Sequence, residues 1–300
     1  MSEFDCAIVG AGVAGLSAAL VLGRARRRVV VFDGGAPRNA PTPSAHGYLT
    51  RDGISPLELL RRGREELAAY PSVEVVKGVV DSIGGGFVVS VGDRSFSART
   101  VLLATGLLDE LPAIEGFGSR WGVSVLHCPF CHGWEVRDRP WAIVGNGASI
   151  LDLCTMAKNW TSQVSLCTNG LAELSEDELF SLEANGIVVY EDDIVRVEGG
   201  GTAVERLVFA DGGGIECGAV FFRPSRVQRS ALAVELGCAH TEAGFVSVDE
   251  RGQTSLRGVF AAGDCIEPSM QILSVAAASG ARAGVAIAKA LFAEDFGAGK

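Results

Sequence analysis

Residues 5–15, with the sequence DCAIVGAGVAG, decide the fold of this chain. The apolar run Asp5–Val9 predicts a buried strand, and the glycine-rich stretch after it predicts a turn into a helix that reaches about Leu22. A second apolar run, Val29–Phe32, ends at Asp33. Strand, helix and strand together indicate a βαβ unit of about 30 residues.

The three glycines of this unit are spaced as in dinucleotide-binding folds. Gly10 permits the tight turn, Gly12 lets the backbone approach a pyrophosphate, and Gly15 lets the helix pack on the sheet. Asp33 is placed to accept hydrogen bonds from a ribose diol. The alternative is an apolar βαβ unit with incidental glycines. A site of this kind could hold FAD or NAD.

Composition limits the function classes. The chain has 300 residues, 48% of them hydrophobic, which suggests about two domains at ~150 residues each and argues against disorder. The net charge of −10 excludes a generic nucleic-acid surface and attraction to an anionic membrane. The apolar N-terminus carries acids rather than a basic region and is cut by glycines, so we expect neither a signal peptide nor a membrane span. We expect a cytoplasmic protein whose eight cysteines are mostly buried thiols.

The strand, glycine turn and helix pattern occurs a second time. Trp141–Val144 predicts a strand, Gly145-Asn146-Gly147 a turn, and the next residues a helix to about Asn159. Further helices are predicted over Pro56–Tyr70 and about Gln271–Leu291. The fold class is therefore α/β, with two Rossmann-like dinucleotide-binding domains.

Cys128 and Cys131 are the candidate redox pair. A CxxC pair can close a small disulfide, and the neighbouring His127 and His132 can carry protons near neutral pH. A zinc site and a pair of inert structural cysteines are the alternatives. Zinc needs four convergent ligands, and histidines adjacent to the cysteines are poorly spaced for one tetrahedral site.

A third signal lies near the end of the chain. Gly263-Asp264 follows an apolar run, and it resembles the second FAD element of flavoproteins with two dinucleotide folds. Together with Ala104-Thr105-Gly106, it favours FAD over NAD at the first site.

The order and spacing of these elements resemble the low-molecular-weight thioredoxin reductase family over essentially all of the chain. The resemblance implies an FAD-binding domain over 1–112 and 241–300, with an inserted NADPH-domain-like region over 113–240 that carries the CxxC. It also implies a homodimer, with Cys131 facing the flavin and Cys128 facing the substrate. The family has Asp after its second cysteine, where this chain has His132.

The second dinucleotide fold departs from the reductases where NADPH should be bound. Ile150 stands at the third small position, and its bulk opposes close packing of helix on strand. The next strand ends in Cys167-Thr168-Asn169-Gly170 instead of a basic cluster for a 2′-phosphate. Arg223 or Arg226 could supply that charge from elsewhere. On balance, NADPH is not expected.

Three segments also resemble the dithiol oxidases of disulfide natural-product pathways, such as those of gliotoxin and holomycin: Pro37-Arg38-Asn39, His46-Gly47 and His127–Glu135. The resemblance and the motifs together give the predicted cofactor-binding residues, which are Gly10, Gly12, Ala14, Gly15, Asp33, Arg38, Asn39, His46, Ala104, Thr105, Gly106, Gly263, Asp264, Gln271 and Ile272.

The predicted function is an FAD-dependent dithiol oxidase that closes a disulfide in a small-molecule dithiol, with O2 as acceptor and hydrogen peroxide as product. His132, or less favourably His127, is the expected base. The alternatives are an NADPH-dependent thioredoxin or disulfide reductase and a flavin-binding protein without turnover. Phe130, Trp134 and Trp160 are candidates for an apolar substrate pocket, although core positions are favoured for each.

Overall fold

A computed structural model describes residues 3–298 of the chain. It divides into two compact units. Unit 1 comprises Met1–Ala40, Gly47–Leu108 and Arg226–Lys300, and unit 2 comprises Pro41–His46 and Asp109–Ser225.

Strands outnumber helices in the described part of the chain. The strands are β1 (Phe4–Val9), β2 (Val29–Asp33), β3 (Val73–Lys77), β4 (Ser82–Gly84), β5 (Val88–Val91), β6 (Arg94–Leu103), β7 (Leu107–Glu110), β8 (Val125–Leu126), β9 (Trp141–Val144), β10 (Val164–Cys167), β11 (Val188–Tyr190), β12 (Ile194–Glu198), β13 (Arg206–Phe209), β14 (Gly214–Glu216), β15 (Ala219–Phe222), β16 (Ser225–Gln228) and β17 (Val259–Ala261). The helices are α1 (Val13–Arg24), α2 (Pro56–Leu67), α3 (Pro129–His132), α4 (Leu151–Ala157), α5 (Glu176–Ala184), α6 (Leu232–Glu235) and α7 (Leu273–Ala298).

Unit 1 is built on a seven-stranded sheet in the order β3-β2-β1-β6-β5-β4, with β17 also paired to β6. The β1, β2, β3, β6 and β17 pairings are parallel, and the β4–β5–β6 pairings are antiparallel. β1 is buried at every position because the sheet is covered on both faces. The predicted first βαβ unit is therefore present as β1, α1 and β2.

Helix α7 packs closely along α1. A Cβ added at Gly280 would lie 2.0 Å from the Ala14 carbonyl oxygen, and one at Gly284 would lie 3.0 Å from that of Ala18. By length and composition, Leu273–Gly297 could cross a membrane. Its buried side chains, including Ile287 and Leu291, belong to the core that α1 and β1 share. The apolar character of α7 thus has a packing role within unit 1.

Unit 2 contains a five-stranded parallel sheet in the order β11-β10-β9-β15-β8 and a three-stranded antiparallel sheet, β12-β13-β14. β9, α4 and β10 form the predicted second βαβ unit. The α/β fold with two Rossmann-like units is confirmed.

The boundaries between the two units differ from the predicted domain boundaries, which are 112/113 and 240/241. The structural changes fall at 108/109 and 225/226, within β7 and β16, which pair as a two-stranded sheet. The larger difference arises because Leu232, Ala233 and Cys238 are buried in the core of unit 1. The short segment Pro41–His46 belongs to unit 2, although unit 1 precedes and follows it in the chain.

Candidate active site

Cys128 and Cys131 are joined as a disulfide in unit 2, with their Cα atoms 5.2 Å apart. Strand β8 leads into this site, and α3 is the single helical turn that follows Cys128. Pro129 occupies the first helical position, where its fixed φ suits a helix start. The backbone N–H groups of Cys131 and His132 both donate to the Cys128 carbonyl. This tight turn holds the two sulfur atoms together.

Of the three alternatives, a redox pair is the one that this disulfide fits, and its redox role stays a prediction. Within residues 3–298, no group of three or more His, Cys, Asp or Glu side chains could hold a metal ion. The six other cysteines are free and buried. Burial raises the pKa of the Cys154 thiol to about 12, and that of the Cys217 thiol likewise to about 12. Thiols of this kind are poor nucleophiles at neutral pH.

His132 lies in a small polar cluster beside the disulfide turn. Its Nε2 is 3.0 Å from the Thr42 hydroxyl, and its ring centroid is 6.3 Å from that of His46. His46 Nε2 in turn lies 3.5 Å from a carboxylate oxygen of Glu135 and 3.2 Å from the Ser44 hydroxyl. Two histidines and a carboxylate therefore meet beside the turn that carries the disulfide, with His46 contributed by the separate segment Pro41–His46.

The environment of His132 keeps it neutral at physiological pH. Its pKa is lowered, first because burial disfavours the charged imidazolium and second because His46 is close. Glu135 and the Ser44 carbonyl act in the opposite direction. A neutral imidazole can accept a proton, which is what a general base requires.

His127, the other predicted histidine, has different surroundings. Its ring lies 5.4 Å from that of Trp121, on the β8 side of Cys128. His132 shares its cluster with a second histidine and a carboxylate. Thr42 and Ser44 carry no motif that would mark them in the sequence, and Glu135 is marked there only as the last residue of the segment His127–Glu135.

Phe130 and Trp134 are exposed, so the core positions favoured from the sequence are wrong for both. Their exposed fractions are 72% and 65%. The reason is that α3 is one surface turn, too short to bury a face. Phe130 contacts Trp160 edge-on at 5.4 Å, and the Arg137 guanidinium lies 3.9 Å above the Trp134 ring. Trp160 is half-buried and stacks on Trp141.

The second dinucleotide-type turn differs from the first at Ile150. In unit 1, a Cβ at Gly15 would lie 1.9 Å from the Gly10 carbonyl oxygen, so helix and turn are in close contact. In unit 2, the buried Ile150 side chain fills the corresponding position, 2.7 Å from where a Cβ on Gly145 would be. Residues 148–150 form a 3₁₀ turn, and α4 begins only at Leu151. The bulk of Ile150 therefore stands where close packing of helix on turn would need a small residue.

The polar groups of the Gly145–Ile150 turn form hydrogen bonds with one another and with residues 171–173. The Asn146 amide oxygen accepts from the N–H groups of Gly147 and Glu173, and its NH2 donates to the Leu171 carbonyl. The Gly147 N–H, which a pyrophosphate would need, is therefore satisfied by Asn146. The Asn169 side chain likewise accepts from the backbone N–H of Ile194.

Carboxylates surround this edge of the unit 2 sheet. Asp152 stands in the first turn of α4 and pairs with Arg223. The Glu173 carboxylate lies 3.9 Å from where a Cβ on Gly147 would be, and Glu191 accepts from the Ala172 N–H. Arg226, the other arginine that could supply positive charge to a 2′-phosphate, lies in unit 1, where it donates to the Pro268 carbonyl. Arg223 is thus neutralised by Asp152.

In unit 1, the residues of the first glycine motif converge as a dinucleotide cradle. Gly10 has φ +112°, and a Cβ there would lie 2.3 Å from the Ala104 carbonyl oxygen. Gly12 caps α1 with an extended backbone, and no heavy atom of a described residue beyond its own chain neighbourhood lies within 4 Å of where its Cβ would be. The N-terminus of α1 therefore faces open space that a side chain would fill. Backbone N–H groups in this position suit a pyrophosphate.

The C-terminal element meets the same cradle. A Cβ at Gly263 would lie 2.9 Å from the Ala14 Cβ. Asp264 pairs with Arg38 at 2.9 Å, and Arg38 also donates to the Gln271 side-chain oxygen at 2.6 Å. Residues far apart in sequence therefore form one polar group beside α1.

The remaining predicted cofactor residues are placed as follows. Asp33, at the end of β2, accepts from the Gly35 N–H and pairs with Arg64 at 3.1 Å. Thr105 and Gly106 act on the buried Cys265 thiol, whose pKa they lower against the effect of burial. Asn39 follows Arg38, and Ile272 precedes α7, both half-buried. His46 lies in unit 2 with His132, whereas all the others lie in unit 1.

Comparisons with known proteins find similar sequences and structures over most of the chain. A family model described as pyridine nucleotide-disulphide oxidoreductase matches residues 4–280. Thioredoxin reductase sirT from Leptosphaeria maculans is 33% identical, covering 91% of this chain and 90% of that protein. Thioredoxin reductase aclD from Aspergillus oryzae is 32% identical, covering 96% of each. The crystal structure of HlmI superposes with a TM-score of 0.93 at 38% identity, covering 99% of this chain and 95% of that one.

Proposed function

The chain belongs to the pyridine nucleotide-disulphide oxidoreductase family, and we propose that it acts there as an FAD-dependent dithiol oxidase. Family membership makes it a disulfide oxidoreductase of the thioredoxin reductase type. The proposal adds that its substrate is a small-molecule dithiol, which it converts to an intramolecular disulfide. Molecular oxygen is the final acceptor, and hydrogen peroxide is the second product.

The observation that carries the proposal is the chemistry of the unit 2 turn at Gly145–Ile150. NADPH carries several negative charges. Its binding site therefore needs backbone N–H groups without another acceptor, and Arg or Lys side chains that are not already paired with carboxylates. This turn instead has its Gly147 N–H satisfied by Asn146, carries Asp152 and Glu173, and has Arg223 neutralised. These features oppose NADPH binding. Without that donor, electrons enter through the substrate dithiol.

Thiol–disulfide exchange at the Cys128–Cys131 pair follows from this assignment. One substrate thiol loses its proton to a base, and the thiolate attacks Cys128, so that a mixed disulfide forms and the Cys131 thiolate leaves. The second substrate thiol is deprotonated and attacks the substrate sulfur, which closes the product disulfide and releases Cys128. Two electrons and two protons have then left the substrate, and both cysteines are reduced.

His132 is the proposed base, because it is held neutral next to this pair. His127 is the less favoured candidate, because its ring packs by Trp121 on the other side of Cys128. The exposed rings of Phe130 and Trp134, which flank Cys131, support an apolar or aromatic substrate.

The unit 1 cradle fits FAD. Gly10, Gly12 and Gly15 would admit the pyrophosphate at the α1 N-terminus, Asp33 would accept from the adenosine ribose, and Asp264 would bond the ribityl chain or pyrophosphate. Bound FAD supplies a two-electron acceptor for the dithiol, and O2 regenerates its oxidised form. A cytoplasmic location and a homodimer are further parts of the proposal, and both rest on the resemblance. Sedimentation of the purified protein tests the second.

An NADPH-dependent disulfide reductase is the second candidate, because the relatives sirT and aclD carry the name thioredoxin reductase. Anaerobic titration of the purified holoprotein separates the two. We expect dithiothreitol, as a simple dithiol, to bleach the flavin absorbance, air to restore it with hydrogen peroxide formed, and NADPH to leave it unchanged. Rapid bleaching by NADPH would establish the reductase instead.

Two variants control that titration. Cys128→Ser removes the cysteine that the substrate attacks, so dithiol should no longer bleach the flavin, while dithionite still should. Cys154→Ser changes a buried free thiol outside the site and should behave as the wild type. If Cys128→Ser were bleached by dithiol at the wild-type rate, the route through the cysteine pair would be wrong.

A further inference from the structure

The Thr42 hydroxyl stands between a backbone carbonyl and the His132 imidazole. Its Oγ1 is 2.9 Å from the Ser44 carbonyl oxygen and 3.0 Å from His132 Nε2. All three residues belong to unit 2, although Thr42 lies 90 residues before His132 in the chain. The arrangement therefore brings a hydroxyl from a separate segment onto the candidate base.

Counting protons fixes the direction of both hydrogen bonds. A threonine hydroxyl has one proton to donate, and a carbonyl oxygen can only accept. The hydroxyl therefore donates to Ser44. Its oxygen is left as an acceptor, and the group that donates to it must be an N–H at His132 Nε2.

The other nitrogen of the ring agrees with this assignment. His132 Nδ1 is buried and has no hydrogen-bond partner among the described residues. A proton on Nδ1 would be a buried donor without an acceptor, and the bare Nε2 would face the lone pairs of the hydroxyl. The neutral ring avoids both penalties when Nε2 carries the proton and Nδ1 carries the lone pair.

We propose that Thr42 is a positioning residue that holds neutral His132 in the Nε2–H form, so that Nδ1 is the atom that accepts the thiol proton. This inference rests on the proposed function. In the step, the S–H bond breaks, the N–H bond forms at Nδ1, and the electron pair stays on sulfur for attack on Cys128. The imidazolium that results still donates Nε2–H to Thr42, which stabilises it.

The charged and titratable groups that act on His132 are His46 and Glu135. His46 opposes protonation of His132 and Glu135 favours it. The Ser44 carbonyl, which accepts from the Thr42 hydroxyl, also favours the charged form of His132, so Thr42 and Ser44 together hold the ring.

Imidazole nitrogen NMR tests the assignment without reference to turnover. The holoprotein is labelled with 15N-histidine and measured above the pKa of His132, whose signals are identified by their loss in His132→Gln. We expect a pyrrole-like Nε2 and a pyridine-like Nδ1 in the wild type. A pyrrole-like Nδ1 would overturn the proposal, whatever the protein oxidises.

Two substitutions at Thr42 provide the kinetic test. Thr42→Val keeps the shape and removes the hydroxyl, and it should lower kcat/KM for dithiothreitol by about 10- to 100-fold. It should also shift the acidic limb of the pH profile to lower pH, because the imidazolium loses an acceptor. Thr42→Ser keeps the hydroxyl and should restore both the tautomer and the pH profile.

The outcomes separate this inference from the proposed function. If the wild type does not consume O2 with dithiols but shows the Nε2–H form that Thr42→Val loses, the oxidase function fails and the positioning role of Thr42 stands. If Thr42→Ser loses as much rate as Thr42→Val, or if Thr42→Val leaves the acidic limb in place, the hydroxyl is not what positions His132.

Discussion

Replacing Gly12 with alanine would place a methyl group in the space that we assign to the FAD pyrophosphate. Gly12 has φ −72° and ψ −179°, an extended backbone that alanine adopts freely. Beyond the immediate chain neighbours of Gly12, no heavy atom of residues 3–298 lies within 4 Å of the new Cβ. The cofactor-free protein should therefore keep its free energy of unfolding within about 0.5 kcal/mol of the wild type.

The effect on FAD should be large by comparison. If the pyrophosphate approaches this backbone closely, the methyl group overpacks the contact, which typically costs about 1–3 kcal/mol. That corresponds to a dissociation constant for FAD raised by roughly 5- to 150-fold.

Gly15→Ala is the matched control, because the same methyl group then meets protein. Its Cβ would lie 1.9 Å from the Gly10 carbonyl oxygen, whereas ordinary contact begins near 3.4 Å. Helix α1 cannot move away freely, since Gly280 on α7 holds the Ala14 carbonyl at close range. We expect the cofactor-free protein to lose about 1–3 kcal/mol of stability.

Urea unfolding of the apoprotein and titration with FAD, followed by quenching of flavin fluorescence, measure the two quantities. Wild-type affinity for FAD in Gly12→Ala would refute the placement of the pyrophosphate at the start of α1. Unchanged stability in Gly15→Ala would refute the close packing of helix against turn.

Three other changes have definite expected outcomes. Phe221→Ala should lower the free energy of unfolding by about 3–5 kcal/mol, since the buried ring stacks on Trp141 at 4.2 Å; a loss below about 1 kcal/mol in urea unfolding would contradict that packing. Iodoacetamide should label the reduced native protein at Cys128 and Cys131 alone, because the six other cysteines are buried; peptide mass mapping that finds a third labelled site would count against it. The pKa of His132 is lower in the folded chain than in the unfolded chain. As the pH falls below 6.5, the unfolded chain therefore takes up a proton on His132 before the folded chain does. Stability should therefore fall between about pH 7 and pH 5 more steeply in the wild type than in His132→Gln, and equal slopes in urea unfolding at each pH would be the contrary result.

The elements that depend on local sequence were predictable. The strand, glycine turn and helix at residues 5–15 are fixed by apolar periodicity and by the space that Gly10 and Gly15 must leave, and the structure contains them. The thioredoxin reductase-like family predicted from the motifs is confirmed by matches that cover most of the chain. Helix ends were less accurate: α2 ends at Leu67 rather than Tyr70, and α7 continues to Ala298 beyond the predicted Leu291. Their final turns carry no strong stop signal.

The sequence by itself determined the two βαβ units, the pairing of Cys128 with Cys131 as one of three alternatives, and the loss of a small residue at Ile150. Each depends on residues that are neighbours in the chain, so spacing alone reveals it. Only the tertiary structure brought Thr42 and His46 to His132, placed Arg223 against Asp152, and moved the unit boundary to Arg226. These contacts join segments that no periodic pattern relates, because hydrogen bonds and ion pairs across a fold depend on where the packed elements place their side chains.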